Sequence, residues 1–269
     1  MNYISSYKDL KKYDSSSKKI KNFFKHNFIK IISKKNFKIH KGNIIFPFYH
    51  HVFDDEMENF NEQLKYMKNN GDFISYDQAL NLIESGINEN EKYFCMSFDD
   101  GFKNMVENIT DKLLTYNIPA TFFIPTSFIG NKREDAGKIF FNNQNISIEF
   151  LDWEDCKKIS AQKLFSIGSH SVNHSLISKL SEEDSENEMK NSKKEIETKL
   201  SVPCNHFAPP VGDFSFIRDI KIAQQIGYKS LSTTIRGKMD KQNNNVYHIY
   251  RHHLIAGWGT NYLKFFFNK

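Results

Sequence analysis

Cysteine is scarce. The chain has three, Cys95, Cys156 and Cys204, widely spaced and outside any CxxC pair, which argues against a disulfide framework or a thiolate zinc site and for reduced structural thiols. There are only four arginines, at 133, 218, 236 and 251, so planar bidentate capture of phosphates is not a general theme. No apolar run approaches the roughly 18 to 20 residues of a membrane span. The opening MNYISSYKDLKKYDSSSKK lacks the apolar core and small-residue cleavage site of a secretory signal, and the expectation is a soluble, cytoplasmic protein. Nothing resembles a phosphate-cradling glycine loop or a nucleophile elbow. From residue 43 onward there is neither an internal repeat nor a low-complexity linker.

What is present is enough for a substantial core: 39% hydrophobic residues, with 25 Phe and 12 Tyr, in 269 residues. That length suits one barrel-type α/β domain. The net charge of +5 is unevenly placed, because residues 1 to 41 hold twelve lysines against Asp9 and Asp14. The rest of the chain is therefore net acidic, which argues against nucleic-acid binding by the main domain. The expected division is a basic amphipathic extension over 1–42 and a catalytic domain over 43–269.

In the extension, Ile20, Phe23, Phe24, Phe28, Ile31 and Ile32 recur at helical spacing among Lys18, Lys19, Lys21, Lys25, Lys30, Lys34 and Lys35. Two readings stay open. The helix packs on the main domain with a solvated lysine face, or residues 18–35 make peripheral contact with an anionic membrane surface.

Beyond residue 43, short apolar runs alternate with helical stretches. Strands are expected at 44–48, 93–98, 120–124, 164–167, 205–208, 228–233 and 246–250. Helices are expected near 57–69, 75–85, 103–116, 153–160, 182–200 and 214–226. This alternation implies a parallel sheet with crossover helices, open or closed into a barrel.

Three of these strands run into reactive residues: Tyr93 to Phe98 into Asp99-Asp100-Gly101, Leu164 to Ile167 into GSHSVNH, and Ile44 to Phe48 into Tyr49-His50-His51. In a parallel barrel, strand C-termini share one face, so these groups can converge. His170 and His174 with a nearby carboxylate form a ligand set suited to zinc. Two adjacent carboxylates then have separate tasks, one binding the metal and the other taking a proton from an activated water.

These stretches resemble the polysaccharide deacetylase family, the carbohydrate esterases with a NodB-type homology domain, over roughly residues 43 to 254. FCMSFDDGF is similar to the family's first motif, GSHSVNH to its second, and HFAPPVGDF to its third, which lines one wall of the groove. The resemblance implies an α/β fold, a distorted (β/α) barrel with fewer complete units than the eight-fold form. It implies Asp99 as catalytic base and Asp100, His170 and His174 as ligands of a divalent metal, zinc foremost. The implied reaction is hydrolysis of an N-acetyl group on an amino sugar, with a histidine protonating the departing amine. FPFYHHVFDD resembles the permuted, poly-N-acetylglucosamine deacetylase-like branch, which makes His50 the acid, with His51 facing away; His252 and His253 in YRHHL are the rivals.

The third motif departs from the usual pattern. Ala208 stands where many relatives carry the arginine that orients the catalytic carboxylate, and Val211 stands where they carry tyrosine. Pro210 and Val211 are still expected to form the wall, Val211 through a backbone N–H directed at an oxyanion. Arg251 and Lys103 are substitute cations between which the sequence does not choose. Arg251 and Trp153 are also candidates for substrate contact, the aromatic face of Trp153 suiting a sugar ring if it is not simply core.

The expected substrate is an N-acetylated sugar of surface-glycan biosynthesis, nucleotide-linked, lipid-linked or oligosaccharide, reached from the cytosol at the inner face of the membrane. An O-acetyl esterase and a non-catalytic glycan-binding protein on the same fold are the alternatives.

Overall fold

The structure is a computed structural model that describes residues 2–33, 40–131 and 133–267. Lys34 and Lys35, the end of the basic stretch, lie outside the described residues. The strands are β1 Asn2–Tyr3, β2 Asn43–Ile45, β3 Pro47–Tyr49, β4 Asp72–Phe73, β5 Lys92–Phe94, β6 Met96–Phe98, β7 Ala120–Ile124, β8 Ile146–Ser147, β9 Phe165–Ser169, β10 His206–Phe207, β11 Ser230–Leu231 and β12 His252–His253. The helices are α1 Tyr7–Lys12, α2 Ser16–Ile32, α3 Met57–Lys68, α4 Tyr76–Ser85, α5 Asp111–Tyr116, α6 Ala136–Phe141, α7 Trp153–Ser160, α8 Glu182–Leu200, α9 Arg218–Ile226 and α10 Thr260–Phe266.

Seven strands form a curled, all-parallel sheet in the order β11-β10-β9-β7-β6-β3-β12. This is the expected distorted (β/α) barrel, present as a half-barrel. The central strand β7, ATFFI, is buried along its whole length, as a parallel strand covered on both faces must be. Because every pairing in this sheet is parallel, the strand C-termini share one edge. That edge holds His50, Asp99, Asp100 and His170, each one or two residues beyond its strand.

The differences from the sequence reading have local causes. The runs 44–48 and 93–98 are each broken once, at Phe46 and Cys95, where the ladder passes from the small β2-β5-β4 sheet to the large one. Cys95 N–H still donates to Ile45 O at 2.9 Å across the break. The run 246–250 is not a strand. Asn245 Oδ1 accepts from Tyr247 N–H and turns the chain, so only Ile249 bridges to Ser232, and β12 pairs with β3 instead. The helix expected from 103 begins as a π-helical segment, Met105–Thr110, before α5. Helix α8 has the expected bounds, started by the Ser181 side chain accepting from Asp184 N–H and ended by Ser201 in the left-handed region.

The N-terminal extension folds back on the body. β1 pairs with β8, and Asp55 accepts from the backbone N–H groups of Tyr7 and Lys8. α2 lies on α10 through Ile29, which is buried, the His26–Tyr262 hydrogen bond at 2.8 Å and the bond from Ser33 Oγ to Asn261 at 3.0 Å. The docked face is not the apolar one, against the reading in which that face packs on the main domain: Ile20, Phe23, Phe24, Phe28 and Ile31 are all exposed.

Candidate active site

Asp99 and Asp100 follow β6 at the apolar wall formed by Phe98, and the backbone turns sharply there: Asp100 has φ +77° and Gly101 +69°. The turn sends the two side chains to different partners. Asp99, almost fully buried, is clamped by Arg251, whose Nη1–H and Nη2–H donate to Oδ1 and Oδ2, each at 2.8 Å. Arg251 has no exposed surface. Its Nε–H donates to Thr233 O at 2.8 Å, and its guanidinium lies 4.1 Å from the Phe48 ring centroid. Burial alone would lower the basicity of this guanidinium; Asp99 outweighs it and holds the pKa above the ordinary arginine value. The cation absent at Ala208 is thus supplied by Arg251 from the far end of the chain. Lys103 instead pairs with Asp155.

Asp100 faces the other way. His170 Nε2 and His174 Nε2 each lie 3.3 Å from its Oδ1, and His50 Nε2 is 3.9 Å from Oδ2. Burial pushes the Asp100 carboxyl up, but the neighbouring imidazoles, the charge of His50 foremost, more than offset this and hold it well below the usual carboxylate range. His170 Nδ1 is 2.6 Å from Ala208 O. That carbonyl can only accept, so Nδ1 carries the proton and Nε2 presents a lone pair. Asp100 Oδ1 is buried without a hydrogen-bond partner. Lone pairs that converge on one point are repulsive unless a cation sits among them. Among the described residues these three are the group of His, Cys, Asp and Glu that could hold a metal ion. The donor set suits zinc or a similar divalent ion with positions left open.

His50 is about a third exposed to the cleft, yet the protein mass around it lowers its pKa, with Asp100 and Asp99 pulling the other way. Its Nδ1 meets His253 Nε2 at 3.0 Å. Burial, then His50 and Arg236, hold the His253 pKa well below the ordinary value, so its ring is neutral near pH 7. The rival His252 points elsewhere, 2.8 Å from Gly237 O. His51 does not face wholly away: it lines the cleft while its Nδ1 turns to Glu56 at 3.5 Å.

A cleft of about 640 Å³ opens over these groups, with Val211, Phe140 and Arg236 among its other walls. Val211 adopts φ +60°, unusual for a β-branched residue, and its side chain is exposed. Pro210 does not line the cleft; it is buried beneath Val211 at the start of a short 3₁₀ turn. Trp153 is also away from the cleft, at the start of α7, packed on the core with Lys199 above its ring. Nor can Arg251 touch a substrate, since it is completely buried behind Asp99. The sequence reading missed His253 as a partner of His50, and Arg236, which donates to His253 O at 2.9 Å; the pairing of β12 with β3 that brings His253 in leaves no local pattern.

A family model described as polysaccharide deacetylase matches residues 86–231, which includes Asp99, Asp100, His170 and His174 and stops short of His50, Arg251 and His253. YxkH of Bacillus subtilis (strain 168), whose name carries the words polysaccharide deacetylase, is 24% identical over 199 residues, 74% of this chain. The chain spans 64% of the length of that relative. Among solved structures, the Streptococcus pyogenes deacetylase PplD in complex with acetate superposes with TM-score 0.69 at 22% identity, covering 83% of this chain and 98% of that one. IcaB from Ammonifex degensii gives 0.68 at 19%, covering 86% and 99%. The deacetylase domain of BpsB from Bordetella bronchiseptica gives 0.68 at 16%, covering 81% and 98%. At these identities the structural likeness concerns the fold.

Proposed function

The chain belongs to the polysaccharide deacetylase family, and from that premise we propose that it is a metal-dependent hydrolase removing N-acetyl groups from an amino sugar in surface-glycan biosynthesis. The observation that carries the reading is the split at the end of β6: Asp99 held by Arg251, and Asp100 facing His170 and His174.

In this reading Asp100, His170 and His174 hold a divalent cation, zinc foremost. Such an ion supplies Lewis-acid polarisation of the acetyl carbonyl and lowers the pKa of water. Asp99 is the base. Arg251 occupies one lone pair on each carboxylate oxygen and fixes the plane of the group, leaving the remaining lone pairs to accept a proton. Val211 N–H, presented at the cleft by its left-handed backbone, donates to the oxygen that gains charge. His50 Nε2 protonates the departing amine. Neutral His253 accepts from His50 Nδ1–H, which orients the His50 ring and stabilises its charged form. The substrate we propose is a nucleotide-linked or lipid-linked N-acetylated sugar met at the inner face of a membrane.

The test is acetate release from N-acetylated oligosaccharides, sugar nucleotides and lipid-linked sugars, set beside O-acetylated glycans. We expect release from an N-acetyl substrate, loss on chelation and recovery with zinc. Asp99→Asn is expected to lose at least about a hundredfold in turnover while retaining its metal, with circular dichroism confirming that the variant is folded. Release from O-acetyl esters alone would move the protein to the esterases. Metal lost together with the Asp99 carboxylate would overturn the division of roles.

A further inference from the structure

Helix α2 is amphipathic in a sense opposite to the usual one. At 100° per residue its docked side chains, His26, Ile29 and Ser33, fall on one face, and Ile20, Ile31, Phe24 and Phe28 fall within an arc of about 80° on the opposite face. That arc points to solvent: Ile20 is 59% exposed, Phe24 67%, Phe28 58% and Ile31 69%, with Phe23 at its margin at 64%. A globular protein has no reason of its own to place five large apolar side chains of one helix in water. Lysines border the arc on both sides, Lys19 and Lys30 along one edge and Lys21 along the other, and the segment from Ser16 to Ile32 contains no acidic residue. The helix is fixed to the body by the contacts of its inner face, where Lys25 also lies 5.0 Å from the Trp258 ring centroid.

We propose that α2 is an in-plane membrane-docking element whose Ile20, Phe24, Phe28 and Ile31 stripe enters the apolar edge of a bilayer containing anionic lipid, while Lys19, Lys21 and Lys30 meet the headgroups. An apolar centre with cationic margins is the pattern by which a helix binds such an interface. It disfavours a second copy of this chain as the occupant, because a two-fold contact through the stripe would set each lysine row against the other with no carboxylate between them. The cleft that holds Asp99 and Asp100 borders the N-terminal end of this helix, where Leu10 and Lys18 line it. The lipid contact stands without the catalytic reading; its use in presenting a lipid-linked sugar rests on that reading.

The full chain is to be sedimented with vesicles of phosphatidylcholine alone and of phosphatidylcholine mixed with phosphatidylglycerol. We expect pelleting with the mixed vesicles, weakening steeply as salt rises. Phe24→Ser/Phe28→Ser should lower the partition about tenfold or more. Lys21→Gln/Lys30→Gln should lower it on the order of twentyfold and weaken the preference for anionic lipid. Both variants are expected to keep the wild-type circular dichroism spectrum and acetate release from a water-soluble N-acetylated sugar nucleotide, so failure to bind lipid is distinguishable from failure of the catalytic reading. The proposal is overturned if the wild type stays in the supernatant with mixed vesicles at low salt. It is equally overturned by a lipid-free dimer that Phe24→Ser/Phe28→Ser dissolves, which would make the stripe a self-association face.

Discussion

Asp99 and Asp100 are neighbours in sequence with separate partners, and the left-handed φ of Asp100 is what parts them. The pair Asp99–Arg251 is almost completely buried, and removing one member of such a pair leaves an uncompensated charge. Arg251→Met is therefore expected to destabilise the fold by about 3–5 kcal/mol, and the double variant with Asp99→Asn by less than the sum of the two single changes. Urea unfolding of the four proteins in that cycle measures this, and strict additivity would show that the two groups do not depend on each other. At this scale the sequence was legible where chemistry follows a strand directly, as with Asp99, Asp100 and His170. It was illegible for Arg251 and His253, whose partners lie 152 and 203 residues away. Even with Arg251 named as a candidate cation, nothing local separated it from Lys103.

Among the elements, the segments after β9 and β10 carry backbone strain where they meet the cleft. Ser171, His174 and Val211 all have positive φ, at +65°, +56° and +60°, each costing on the order of 1–3 kcal/mol. Because only the Val211 main chain is given a task, Val211→Asn, which tolerates the left-handed region far better, is expected to gain about 1 kcal/mol in chemical denaturation and to keep full turnover. A large loss of turnover would mean that the valine side chain touches substrate. Gly168 is constrained differently: a Cβ there would stand 2.5 Å from the Phe123 ring and 3.1 Å from His206 O. Gly168→Ala should therefore push β9 off β7, cost about 1–3 kcal/mol and displace His170, read out as weaker metal retention in dialysis. The strands of the large sheet were legible as apolar runs bounded by turn residues, except β12, in whose place a strand was expected at 246–250. The breaks at Phe46 and Cys95 were not, because both residues are apolar and fully buried and leave the hydrophobic pattern continuous.

For the molecule as a whole, two buried imidazoles outside the cleft set an acid limit. Burial lowers His206 and His252 to about 4, against about 6.5 in the unfolded chain. The unfolded state therefore binds more protons between those values. Their contribution is intact above pH 6.5 and is lost as the pH falls towards 4, by about 3 kcal/mol for each residue at the limit. The melting temperature is expected to drop between pH 6.5 and 4.5, and to drop less in His252→Gln; a flat profile would mean that neither ring is held neutral. The architecture was legible at this scale as alternating strands and helices, but the pairing of the edge strand β12 with β3 was not. That pairing has a consequence for the newborn chain. Residue 99 leaves the ribosome long before residue 251, so until the last strand arrives Asp99, the base we propose, has no guanidinium to orient it. On that proposal maturation of the site is tied to completion of the sheet, and a nascent or truncated chain ending before the YRHHL segment would carry Asp100, His170 and His174 with Asp99 unpositioned.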